Sequence, residues 1–435
     1  MIPNRQGLTV PFAILCIVDL FGVFPIVMLP GPIMKCGWLG IPLAICVFAV
    51  QIYTAILLGK CWIIAEEIEP NIIHKNRYPY AAIAELVFGR NVKRIVSVMQ
   101  DITVFGSTIP NLLIAADNLH TLGMKAPDGI INISFCFWLI IIGLVLCPPI
   151  WLGSPKDMKL IGSISVFTVV SVCALTWIIM MQIPNDINYP VAEPSWNTIA
   201  LAYGVLAFQF DVHPLILTVQ MDMKDRRKLP FVLIGAFFIT CCLFSITTVI
   251  AYLKLGGLVN SNLLDALPES QVLNIDIILV TLQICLSTVV STTALFQNIE
   301  HHLRIPREFT WKRCILRTFV MMLAVLIGEV VPRFDLVMGL IGSLLTGPLM
   351  FILPPIFYTK IKSLHYSKIK TSKRVCYRTF PNAKLSLDVG SRRLILASFL
   401  VFVGVLATVL STISNIQDNI INSKLTMSCW MQIFI

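Results

Sequence analysis

Long apolar runs alternate with short polar ones from one end of the chain to the other. Eleven runs of 18 or more mostly apolar residues stand at 7–34, 38–65, 93–122, 131–150, 159–182, 197–221, 229–255, 272–303, 311–331, 335–360 and 392–416. As a helix, each is long enough to cross about 30 Å of hydrocarbon. The pattern predicts an all-α integral membrane protein of eleven transmembrane helices, a single membrane domain over residues 1–435. The runs repeat approximately as five plus five, about 7–182 and 197–360, with an extra helix at 392–416. An odd number of spans per half turns the halves upside down relative to each other, which is the inverted repeat of secondary transporters.

The first helix of each half is interrupted. Span one breaks at Gly22-Val23-Phe24-Pro25, and span six between Phe208 and Pro214, at Phe208-Gln209-Phe210-Asp211-Val212-His213-Pro214. A spanning helix is broken only where something satisfies the freed backbone groups, because none is available from lipid. Gly22 tolerates unusual dihedrals, while Pro25 and Pro214 suit the first turn of a new half-helix. Each break then offers carbonyl ends that suit an ammonium or a cation, and amide ends that suit a carboxylate. A zwitterionic amino acid matches both. The expected substrate-binding residues are Gly22, Val23, Phe24, Pro25, Phe208, Phe210, Asp211 and His213. Two ordinary proline kinks are the competing reading, weakened by their equivalent places in the two halves.

Composition supports the membrane assignment. Hydrophobic residues make up 57% of the chain and charged ones 13%, against about 25% charged in soluble domains. The first run is too long for the apolar region of a cleavable signal and lacks a clear small-residue cleavage site, so it is expected to stay as a working helix. The net charge of +10 is unevenly distributed: 28 of the 33 Lys and Arg fall in one set of alternate loops and 5 in the other. That asymmetry follows the positive-inside rule rather than a nucleic-acid footprint. It puts the amino-terminus in the cytoplasm and the carboxy-terminus outside or in a lumen. The ten cations of 360–393 read as a retained cytosolic loop, with anionic lipid head groups as the alternative partner. The segment 80–90 is expected to be an amphipathic helix lying at the interface. The thirteen cysteines form no C-x-x-C pair, and a Cys36–Cys429 disulfide has only weak support. The sequon at Asn132 lies close to a span.

Three acids sit deep in their spans, Asp19, Asp101 and Asp211, roughly 13–22 Å from their starting faces. A charge there is penalised by roughly 2.5–3.5 kcal/mol and needs a cavity or a partner. His213 lies two residues from Asp211 and has an ordinary pKa near neutrality. Proton coupling through Asp19, Asp101, Asp211 and His213 is one reading, and capping of the broken helix ends by Asp211 and His213 is the other. Span eight clusters Ser287, Thr288, Ser291, Thr292 and Thr293. Of these, Ser287, Ser291 and Thr292 are candidates to complete a sodium site, against ordinary back-bonding to their own helix. Neither an organic cofactor, a metal cluster, a nucleophile–base pair nor a phosphate loop is apparent, so an enzyme is not expected.

The stretch FQFDVHPLILTVQMDMK, Phe208 to Lys224, resembles the sixth span of the amino acid/auxin permease family. There a Phe-rich break is followed by His, six residues on by Gln, and then by Met-Lys. Leu29-Pro30, Tyr80 with Glu85-Leu86-Val87-Phe88-Gly89, and Val331-Pro332-Arg333-Phe334 leading through Leu340-Ile341-Gly342-Ser343 to Phe351-Ile352-Leu353-Pro354-Pro355 agree in order and spacing. The resemblance is nearest the animal proton-coupled amino acid transporters. It implies a leucine-transporter-like fold with broken helices 1 and 6, and proton- or sodium-driven amino acid movement. Two departures stand out. Only Gly22 remains of a usually glycine-rich first break, which reshapes the pocket. Asp211 stands where many relatives carry a small residue, adding a charge that selects cationic substrates or binds a proton. The expected function is symport of small amino acids by alternating access, with lipid and substrate as the partners. A non-transporting amino acid sensor is the alternative. Plasma and lysosomal or vacuolar membranes are not distinguished by the sequence.

Overall fold

The computed structural model describes residues 7–72, 78–124, 133–152, 155–184, 193–256, 259, 262–306, 309–331, 333–377 and 391–422, with backbone alone at 152, 155–161, 369–377, 391–393 and 419–422. Among these residues the chain is helical, and a single isolated bridge between Leu8 and Met223 stands in place of any strand. The helices are α1 Val10–Phe21, α2 Phe24–Val27, α3 Pro30–Lys35, α4 Gly40–Ile68, α5 Pro79–Phe88, α6 Arg90–Met124, α7 Phe135–Leu152, α8 Pro155–Met181, α9 Trp196–Gln209, α10 His213–Asp222, α11 Leu229–Leu255, α12 Gln271–His302, α13 Trp311–Val330, α14 Phe334–Ile341, α15 Leu353–Tyr377 and α16 Ser391–Asn422. Local signals start them: Ser195 and Thr198 form a capping box on α9, and the Ser270 hydroxyl accepts from Leu273 N–H at 3.1 Å to open α12.

Seven described helices are long and apolar enough to cross a membrane, and an eighth when the bent pair Val10–Phe21 and Phe24–Lys35 counts as one. The chain is therefore a multi-pass membrane protein. Three of the eleven expected spans fall outside that group for evident reasons. The 35-residue α6 is rich in polar side chains, α7 is apolar over only 17 residues, and α13 carries Lys312, Arg313, Arg317 and Glu329. Two smaller expectations are corrected. The segment 80–90 does not lie on a surface: Pro79 to Ala84 and Val87 of α5 are buried, and the Tyr80 hydroxyl donates to Leu349 O at 2.6 Å. Cys36 is a free thiol directed at Thr198 O, and Cys136 is the disulfide-bonded one. Asn132 and Cys429 lie outside the described residues.

Buried apolar side chains gather into two clusters that meet at the helix breaks. Phe21, Phe210 and Val212 belong to one, and Val23, Phe24 and Phe208 to the other. The site therefore lies on a seam between two packed cores. α12 packs against α6 and α8, α1 against α11, and α9 against α16. Between α14 and α15 the backbone widens into π-helical turns, Gly342–Thr346 and Pro348–Ile352. There it crosses α9 so closely that a methyl on Gly342 would stand 1.9 Å from Gly204 O. One end of the bundle is tied by Glu300, which pairs with Arg317 at 2.7 Å and Arg313 at 3.2 Å, while Arg317 also reaches Ile150 O at 2.5 Å.

Candidate functional site

Gly22 sets the first break. Its backbone stands at φ 60°, ψ −148°, a region essentially restricted to glycine. The Gly22 N–H still closes α1 on Val18 O at 3.1 Å, but Val23 N–H leaves the helix for Gln283 Oε1 at 3.4 Å. Pro25 lies in the first turn of α2, and the axis has turned by 51°. In the other break α9 ends at Gln209. Asp211 N–H then donates to Phe208 O at 3.2 Å and Val212 N–H to Phe210 O at 2.9 Å, before Pro214 in the first turn of α10 restarts the helix. This span continues without a comparable bend. Leu8 N–H donates to Asp222 O at 2.8 Å and Lys224 N–H to Leu8 O at 3.0 Å. The start of one broken span is thus fastened to the end of the other, and the two run antiparallel.

A cavity of about 90 Å³ lies between the breaks, several times the roughly 10–15 Å³ needed to admit a single water molecule. Leu20, Phe21 and Phe24 wall it on the first span, and Phe208, Gln209, Asp211, Pro214 and Leu215 on the sixth. α6 adds Thr103, Val104, Ser107 and Asn111, and α12 adds Ser287 and Ser291. Thr346 from the π-helical turn donates to Asp211 Oδ2 at 3.3 Å, while Asp211 Oδ1 is buried with no hydrogen-bond partner. A larger crevice of about 350 Å³ opens between α7 and α13, lined by Cys136, Phe137, Ile140, Met322, Val325, Leu326 and Glu329. It is nearly all apolar and lacks the several convergent polar groups that orient a polar ligand. The smaller cavity is the better site on chemical grounds.

Of the expected site residues, Phe24, Phe208, Asp211, Ser287 and Ser291 come together on this wall, and the others stand elsewhere. Gly22, Val23 and Pro25 shape the break behind it. Phe210 packs with Phe21 at 5.0 Å, Phe48 at 4.3 Å and Phe237 at 6.0 Å, an aromatic cluster that closes one side of the seam. His213 is fully buried with Nε2 3.1 Å from the Thr54 hydroxyl, so it and Asp211 turn to different partners. Asp101 is not on the cavity wall: its oxygens receive Tyr78 OH at 3.0 Å and Asn298 Nδ2 at 2.6 Å. Thr292 back-bonds to Thr288 O at 2.7 Å, as Thr288 does to Ile284 O and Thr293 to Val289 O.

Asp19 joins a second polar cluster beside the first break. Ser165 hydrogen-bonds its carboxylate, the Gln283 amide donates to Ser165 Oγ at 3.3 Å, and Asp19 Oδ1 is buried without a partner. The sequence reading passed over Gln283, Thr103, Ser107, Asn111, Gln209 and Thr346. The signal was there for three of them, since Gln283, Asn111 and Gln209 are side-chain amides in the middle of apolar runs.

Comparison with known proteins gives a consistent family signal. A family model described as transmembrane amino acid transporter protein matches residues 9–381. Amino acid transporter AVT1I of Arabidopsis thaliana is 24% identical over 355 residues, 79% of this chain and 84% of that protein. Amino acid transporter AVT1J of the same plant is 23% identical over 346 residues, 77% of this chain and 79% of that protein. Sodium-coupled neutral amino acid symporter 2 of Danio rerio is 29% identical over 208 residues, 46% of this chain and 40% of that protein. All three are transporters by name, and none is an enzyme.

Proposed function

The chain belongs to the transmembrane amino acid transporter family, and from that premise we propose that it moves amino acids across a membrane as a secondary active transporter, by proton-coupled symport through alternating access. The observation that carries the reading is the cavity enclosed by two antiparallel broken spans. Exposed backbone at such breaks is how inverted-repeat transporters hold small solutes at mid-membrane. Counting α6, α7 and α13 with the eight apolar spans gives eleven, arranged as one domain of two inverted five-helix repeats plus α16. The broken spans rock against α6, α7, α12 and α13. The amino-terminus faces the cytoplasm because the Lys- and Arg-rich loops lie on that side.

Asp19 is the proton carrier in this scheme. It sits one turn before Gly22 with one carboxylate oxygen unpartnered, and Ser165 and Gln283 link it to Val23 at the bend. Gain or loss of its proton therefore acts on the geometry of the first break. Sodium coupling is the second reading, favoured by the name of the Danio rerio relative.

Purified protein in liposomes, offered labelled amino acids under an imposed proton or sodium gradient, tests both. Accumulation that follows the proton gradient and is lost in Asp19→Asn supports the proposal. Accumulation that follows sodium and ignores pH transfers the coupling to sodium. Saturable binding without accumulation, across the full amino acid set, would make the protein a sensor.

A further inference from the structure

On the premise that the cavity is the substrate site, we propose that it selects cationic amino acids, with the ammonium or guanidinium of the substrate side chain seated on Asp211. Two independent observations lead there. The first is charge. Asp211 is the one ionisable residue on the described cavity wall, and no Lys, Arg or His shares it. His213 is engaged with Thr54 instead. Asp211 itself receives only the Thr346 hydroxyl, on one oxygen. A zwitterion adds no net charge and leaves a lone carboxylate buried at mid-membrane, whereas a substrate carrying one extra positive charge brings the closed site to neutrality.

The second is the polarity of the wall itself. Three hydroxyls have already spent their protons on their own helices: Thr103 on Met99 O at 2.8 Å, Ser107 on Val104 O at 2.8 Å and Ser291 on Thr288 O at 3.3 Å. Asn111 commits its amide nitrogen to Thr288 Oγ1 at 3.0 Å. What the three hydroxyls have left for the cavity is lone pairs, and Asn111 adds its Oδ1 acceptor beside one remaining N–H. Ammonium and guanidinium groups are donors only, so a substrate with a second such group can satisfy more of these acceptors than the single α-ammonium of a neutral amino acid.

The test is competition for uptake into liposomes holding the purified full-length protein. Labelled substrate is challenged with lysine, ornithine and arginine against glycine, alanine and proline, in wild type and in Asp211→Asn. Expected is at least a tenfold preference for the cationic set in wild type, reversed in the Asn variant, which keeps the size and removes the charge. Competition on the wild-type protein alone decides the matter should that variant not fold. A preference for neutral substrates, or a cationic-to-neutral ratio unchanged by Asp211→Asn, overturns the inference and leaves the transporter reading standing. Failure of every amino acid to bind or accumulate removes the substrate-site reading and this inference with it.

Discussion

Replacing Gly22 by alanine separates two physical reasons for the first break. The new Cβ would meet Gln283 Nε2 at 2.7 Å, and the backbone at φ 60° is one that a side chain strains. The strain alone costs roughly 1–3 kcal/mol. The Gln283 amide is the end of a flexible side chain and can swing away, but doing so gives up its bonds to Val23 N–H and Ser165 Oγ, about 0.5–1.5 kcal/mol each. Together the penalty is roughly 2–6 kcal/mol. Gln283→Ala loses the bonds without the strain, and the double variant suffers both but loses the bonds only once. Its penalty should therefore fall short of the sum of the singles by roughly 1–3 kcal/mol. Equilibrium unfolding in mixed detergent micelles measures all three, and uptake should drop at least tenfold in Gly22→Ala. Strict additivity would refute the contact between Gly22 and Gln283. A penalty under about 0.5 kcal/mol for Gly22→Ala, the size of an ordinary surface change, would refute the backbone conformation itself.

Other substitutions probe the frame that holds the site. Gly342→Ala drives a methyl to 1.9 Å from the Gly204 carbonyl, backbone against backbone, and should abolish monodisperse protein on size exclusion. Gly89→Ala, at φ 88° with open space around it, should cost only the strain of about 1–3 kcal/mol. Glu300→Gln takes the paired carboxylate from the wholly buried Arg317; a loss of about 3–5 kcal/mol in the unfolding measurement is expected. Tyr80→Phe removes the 2.6 Å bond to Leu349 O inside the core, and should cost about 1–3 kcal/mol with the backbone trace unchanged.

The sequence disclosed the helices and both breaks because each rests on local chemistry. Apolar runs of span length, Gly22 beside Pro25, and Pro214 after Val212-His213 act within a few residues of where they stand. The walls of the cavity were less legible because they depend on which face of a helix turns inward after packing. α6 shows the difficulty. Its deep acid drew attention, while its cavity-facing positions are Thr103, Val104, Ser107 and Asn111, residues unremarkable in a membrane helix. The pairing of Asp211 with Thr346 joins positions 135 residues apart, and no spacing rule connects them. Apolarity and burial are also separate properties. A helix buried among other helices can carry polar residues, as α6 does, so hydropathy alone undervalues the helices that line a site.

Depth in the membrane does not separate the acids; the partners and surfaces that each side chain reaches do. Asp101 stands two residues before Thr103 on α6 and is not itself on the described wall. Both its oxygens are occupied, and Tyr78 also donates to Ala294 O at 2.9 Å. It fastens the segment before α5 to α6 and α12. Asp276, wholly buried, takes Thr176 Oγ1 at 2.8 Å between α8 and α12, away from the described wall. Asp19 turns to Ser165 of α8 and is not on the described wall. Asp211 escapes such burial in a helix face because the chain is unwound where it stands. A broken helix has no fixed face, so its side chain enters the cavity with an oxygen still to satisfy. The break in the sixth span therefore does more than expose backbone: it gives the described cavity wall its one ionisable side chain.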